Sequence, residues 1–242
     1  MSLTPIKKKI DSWVSYEENK PRTPYEKDWE THNKYRSEND LDCVLLGGDL
    51  RADNIFSLWL PLRYSLVEIN GYSRLNKIGN INKPVEFRKV LKGSNLDNLL
   101  PPENPLAKSL IELFELGQTK ANMMLMPKVG INRKRGNAPY YDYTPYFLFE
   151  CFEGGDFSEH FNSDDNLKQW IIRESLQPLF EKVNGEYVID KHHLIDLSGT
   201  GDIKDGVPAK GKKIVLVENY ISVLKERQNL LMKQGGSLNE IQ

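Results

Sequence analysis

The residue types best suited to chemistry in this chain lie between Lys128 and Tyr146. Lys128, Arg133, Lys134 and Arg135 place four cations within eight residues, and the segment then runs into Tyr140, Tyr141, Tyr143 and Tyr146. Cations neutralise phosphates and tyrosine rings offer flat faces to bases, so the mixture suits an anionic partner such as a nucleotide or nucleic acid. Asn132, Arg133 and Arg135 can clamp a phosphate, because guanidinium forks match its oxygens, with Lys128 adding charge. Gly130 and Gly136 allow the backbone to approach such a ligand closely. Tyr140, Tyr141 and Tyr143 are the stacking candidates, with Asp142 between them. The competing reading is a solvated basic turn whose tyrosines pack into the core or cap it through their hydroxyls.

Other groups of reactive residues carry less. Asp142 and Glu150 could move a proton near the arginines, although an Arg–Asp pair that merely fixes the loop uses the same residues. His192 and His193 have Asp190 and Asp196 nearby, but adjacent side chains point to different sides of a helix or strand, so the two do not share one metal. His32 and His160 have no partner at ligand spacing. Gly199-Thr-Gly201-Asp-Ile-Lys-Asp-Gly206 lacks the third glycine of a dinucleotide fingerprint and the strand–loop–helix unit around it. Cys43 and Cys151 form no CxxC pattern, which favours a reducing compartment over zinc or a disulfide framework. No cofactor and no metal is called for.

The rest of the composition sets the frame. With 33 Lys and Arg against 34 Asp and Glu the formal charge is −1, so binding to a polyanion must come from a local patch rather than the whole surface. Hydrophobic residues make up 39% and charged residues 28% of the 242, a folding composition rather than a disordered one. No apolar run approaches the roughly 20 residues needed to span a bilayer, which argues for a soluble, cytoplasmic protein with no membrane partner.

These side chains need elements to position them. Residues 1–48 read as a polar arm with one short helix near 10–18. Asp53 can cap a buried helix from Asn54 to Asn70, which Pro61 should kink or break. Residues 71–103 read as a long connection with a brief apolar pattern at Val85-Glu-Phe87. Asn104-Pro105 opens a helix with Leu106, Leu110, Leu113 and Phe114 on one face and Gly117 as its stop. Met123-Met-Leu-Met126, closed by Pro127, fits a short buried strand. Thr144-Pro145 starts a helix that ends at Gly154-Gly155. Ser163 caps another from Asp164 to about Lys182, split by Pro178. Asn184-Gly185 is a turn, and Glu186 to Leu197 could be strand or helix. Ile214 to about Lys233 forms a terminal helix with Val217, Ile221, Leu224 and Leu231 on one side, and residues 235–242 fray.

Asn122-Met-Met-Leu-Met-Pro127, Ile131-Asn-Arg-Lys-Arg-Gly136 and Tyr143-Thr-Pro-Tyr-Phe-Leu-Phe-Glu150 together resemble an uncharacterised bacterial family, a domain of unknown function. In that family a short apolar strand ending in Pro precedes an Asn-x-x-Arg-Gly motif and a helix. Leu194-Ile-Asp-Leu197 and the helix from Glu218 to Asn229 are similar to its last elements. The resemblance covers the C-terminal half and implies no assigned chemistry. It matches Asn132, Arg135 and Gly136 to the family's motif.

The expectation is a single helix-rich α+β domain in which a few short strands support the helices. The function expected is non-catalytic recognition of an anionic ligand, nucleotide or nucleic acid, by the basic and aromatic loop. One alternative is an enzyme acting on a phosphorylated or nucleotide substrate, with Arg135 stabilising charge and Asp142 or Glu150 moving a proton. The other is a protein-interaction module that docks through its N-terminal arm.

Overall fold

The computed structural model describes residues 5–19, 50–56, 58–71, 84–92, 94–117, 119–127, 164–189 and 213–234. Among these the fold is helix-rich α+β, with short strands paired in two antiparallel ladders. Contacts group the chain into two compact units. One comprises Met1–Lys20, Ser57–Gly117 and Asp196–Ile221; the other comprises Pro21–Phe56, Gln118–Ile195 and Ser222–Gln242. The segments interleave, so no single cut in the chain separates the units.

The described part of the first unit is built from helices with apolar faces. Helix α1 (Pro5–Asn19) spaces Ile6, Ile10, Trp13 and Val14 along one face, and all four are buried. It begins earlier than the short helix expected near 10–18, because Ile6 extends the stripe by one turn and Pro5 suits a helix start. Trp13 meets Phe114 of helix α5 (Pro105–Gly117) edge to face, with ring centroids 5.6 Å apart. Helix α5 matches its sequence reading: Leu106 N–H donates to Asn104 Oδ1 at 2.9 Å, and Leu106, Leu110, Leu113 and Phe114 are buried. At its end Gly117 lies against Leu58, where a Cβ would stand 2.5 Å from Leu58 Cδ2.

Two expectations in this unit are corrected. The helix expected from Asn54 begins at Trp59 and runs to Asn70 (α2), without a break at Pro61. Pro61 falls in the first turn, where a missing N–H removes no intrahelical bond. The N-cap position of α2 is Leu58, and Asp53 lies in a strand, β1 (Leu50–Asn54). The supposed connection over 71–103 contains two helices, α3 (Pro84–Lys92) and the short α4 (Leu96–Leu99). Pro84 at the start, Glu86 in the first turn and Lys89 and Lys92 in the last complement the helix dipole, while Phe87 and Leu91 supply the buried face. Asn70 Nδ2 donates to Leu66 O and to Leu99 O, tying the end of α2 to α4.

In the second unit β1 pairs antiparallel with β2 (Met123–Pro127), Leu50 opposite Pro127 and Asn54 opposite Met123. Helix α6 (Asp164–Arg173) stops well short of the Lys182 expected. Ser175 takes φ 53°, its N–H donates to Ile172 O at 3.1 Å, and Leu176 N–H donates to Ile171 O at 2.8 Å, which closes the helix in a Schellman arrangement. A 3₁₀ turn over Gln177–Leu179 carries Pro178, and Phe180–Val183 then forms strand β3. Strand β3 pairs with β4 (Glu186–Ile189) through a two-residue turn in which Asn184 and Gly185 both have positive φ, as a type I′ hairpin requires. The terminal helix α7 (Lys213–Lys233) belongs to the first unit up to Ile221 and to the second from Ser222 on. It buries Val217, Ile221, Leu224 and Leu231, the residues its periodicity indicated.

Candidate functional site

The basic and aromatic segment starts immediately after Pro127, the last residue of β2. Lys128, Asn132, Arg133, Arg135, Gly136, Tyr140, Tyr141, Asp142 and Tyr143 lie outside the described residues. So do Glu150, the four histidines, both cysteines and the Gly199–Gly206 stretch. What can be built from the residues upward is the frame that carries the start of the segment.

That frame is held by buried polar side chains. Ahead of β2, a 3₁₀ turn over Lys120–Asn122 is capped by Thr119, whose side chain accepts from Ala121 N–H. Asn122 is fully buried and brackets the chain beyond β1: its Oδ1 accepts from Phe56 N–H at 2.8 Å and its Nδ2 donates to Phe56 O at 2.9 Å. Ile55 N–H also donates to Asn122 O. The ladder is thereby extended past Asn54 by a side-chain amide that imitates a peptide group.

Arg227 lies at the centre of a second set of bonds. It falls on the apolar stripe of α7 between Leu224 and Leu231 and is fully buried. Its Nε donates to Glu174 O at 2.9 Å, and its Nη1 donates to Lys120 O at 2.6 Å and Ala121 O at 2.7 Å. Glu174 follows the last residue of α6, so the guanidinium meets a helix C-terminus and the carbonyls of the 3₁₀ turn together. Both carry partial negative charge and need donors. Such bonds specify where three segments meet, and they give Arg227 a structural role. The sequence reading missed Arg227, Asn122, Glu174 and Trp170; a cation on an otherwise apolar helical stripe was the available signal for the first.

The first unit has its own polar feature. Arg63 is buried, and its guanidinium carbon lies 5.9 Å from the centroid of the Trp59 ring, a cation–π contact one turn along α2. Phe87 tilts against the same indole at 6.0 Å. Among the described residues no group of three His, Cys, Asp or Glu side chains is arranged to hold a metal ion, and no helix is long and apolar enough to cross a membrane. No family model, curated protein or solved structure matches this chain, so any function must be argued from its own residues.

Proposed function

We propose that the chain is a non-catalytic binder of an anionic ligand, a nucleotide or a single-stranded nucleic acid, through the segment from Lys128 to Tyr146. The observation that carries the proposal is the density of Lys128, Arg133, Lys134 and Arg135 against four tyrosines in a chain whose formal net charge is −1. Phosphates would be met by Lys128, Arg133 and Arg135 with Asn132 donating alongside, and bases by Tyr140, Tyr141 or Tyr143. Gly136 lets the backbone close on the ligand, and Asp142 orients an arginine by pairing with it. In this reading the resemblance to the bacterial family with the Asn-x-x-Arg-Gly motif marks the same loop. The protein would work in the cytoplasm, in keeping with two cysteines that form no framework.

What favours binding over loose surface charge is where the segment starts. It leaves directly from β2, a strand with Met124 and Leu125 fully buried and its register fixed by the Asn122 bracket. A rigid element at the base of a recognition loop lowers the entropy lost on binding. The proposal is tested by fluorescence polarisation of labelled single-stranded RNA and DNA with wild type, Arg133→Ala/Arg135→Ala and Tyr140→Ala/Tyr141→Ala. The arginine pair should weaken binding of every sequence alike, and the tyrosine pair should cost about 1–3 kcal/mol per stacked base. Unchanged affinity in both variants refutes the assignment.

A further inference from the structure

Leu125 lies in the middle of β2, opposite Ala52 of β1. In an antiparallel strand the N–H and C=O of one residue point the same way, and those of Leu125 are both taken by side chains of the α6 region rather than by a strand. Its N–H donates to Glu174 Oε2 at 2.7 Å, and its carbonyl accepts from Trp170 Nε1 at 2.7 Å. Trp170 and Glu174 are four residues apart, one turn of helix, which puts an indole donor and a carboxylate acceptor side by side. All three residues are buried.

We infer that Trp170 and Glu174 form a latch that stands in for a third strand on β2, with Arg227 as the positioning residue that sets its register. A free strand edge offers unpaired backbone groups to any extended chain, and covering it is a general need of small sheets. Here the cover is two side chains that reproduce the donor and acceptor spacing of a neighbouring peptide group. Arg227 fixes both parts of the arrangement. Through Nε it holds the carbonyl of Glu174 itself, and through Nη1 it holds Lys120 O and Ala121 O, immediately ahead of β2. A shift of the α6 terminus relative to β2 would break bonds at both ends of the guanidinium. The latch is independent of what the Lys128–Tyr146 segment binds.

The test is residue-resolved amide hydrogen exchange at Leu125, referenced to Ile55, whose N–H is held by Asn122 O and not by the latch. Glu174→Ala removes the acceptor, and Glu174→Asp keeps the carboxyl group but withdraws it by one methylene. Glu174→Gln keeps an acceptor in place. The latch predicts that Leu125 exchanges about tenfold faster, relative to Ile55, in the Ala and Asp variants, as expected when a buried hydrogen bond is lost. The Gln variant should stay close to wild type, and Arg227→Lys, which cannot span the same carbonyls, should fall between. If Glu174→Ala does not fold, the Asp and Gln pair decides alone. Equal Leu125 exchange in Asp and Gln, or a ratio to Ile55 that no substitution moves, overturns the latch.

Discussion

The best-defined contacts in the described parts of the two units differ in kind. In the first, α1 and α5 meet through Trp13 and Phe114, with Ile10 and Leu110 buried on their apolar faces, and α2 and α3 meet through Trp59 and Phe87. These contacts have little directionality, and side chains of similar volume should substitute for one another. In the second, the short β1–β2 ladder is fixed by Asn122, Trp170, Glu174 and Arg227, all buried and all bonded to backbone groups. Those bonds tolerate almost no change of shape or chemistry, because a backbone group left behind in the interior keeps its desolvation cost. A ladder of five residue pairs is too short to hold itself, and the polar brackets provide what its length cannot.

The largest expected effect tests that contrast at its centre. Arg227→Ala strips donors from Glu174 O, Lys120 O and Ala121 O at once, and should lower unfolding free energy by about 4 kcal/mol in urea denaturation, with Arg227→Lys recovering part of it. Next comes a pair of near-isosteric substitutions. Asn122→Leu keeps the branched shape but abandons both bonds to Phe56 and should cost about 3 kcal/mol, whereas Leu110→Met in α5 should cost less than about 1.5 kcal/mol. Equal costs for that pair would erase the distinction between the two regions. Smaller than the Asn122 loss is Gly117→Ala, where the new methyl must displace the buried Leu58 side chain at about 2 kcal/mol. Adding Leu58→Ala should remove that steric cost, so that the double variant is more stable than the sum of the singles. At the bottom of the scale, Asn104→Ala removes the cap of α5 for about 1 kcal/mol, read as a shift in thermal midpoint.

The same contrast explains how much of the molecule was legible in the sequence. Helix α5 was read correctly because cap, proline, apolar spacing and terminal glycine agree over thirteen residues. The β2 strand, the Asn184-Gly185 turn and the terminal helix carried similarly local signals. Pro61 misled because its cost depends on where the helix begins, and a start at Trp59 puts it in the first turn. Helix α3 was hidden by the Asn, Gly and Lys residues around it, although Pro84, Glu86 and Lys92 were signals in place. Helix α6 ended early on Ser175, a left-handed position that more often falls to Gly. The brackets at Asn122, Glu174 and Arg227 were not legible as partners, since each joins residues dozens of positions apart. Pairing of that kind is a property of packing and leaves no periodicity. The proposed ligand segment was legible only as composition, and its chemistry rests on residues 128–146.

The measurement that tests the binding proposal most directly is therefore the salt dependence of oligonucleotide affinity. If the four cations from Lys128 to Arg135 each neutralise one phosphate of a single strand, log K should fall against log salt with a slope of about −2.8. That is roughly fiftyfold weaker binding between about 50 and about 200 mM salt. That slope is expected in wild type, and about half of it after Arg133→Ala/Arg135→Ala. No saturable binding at low salt, or a slope that the double substitution leaves unchanged, would contradict it.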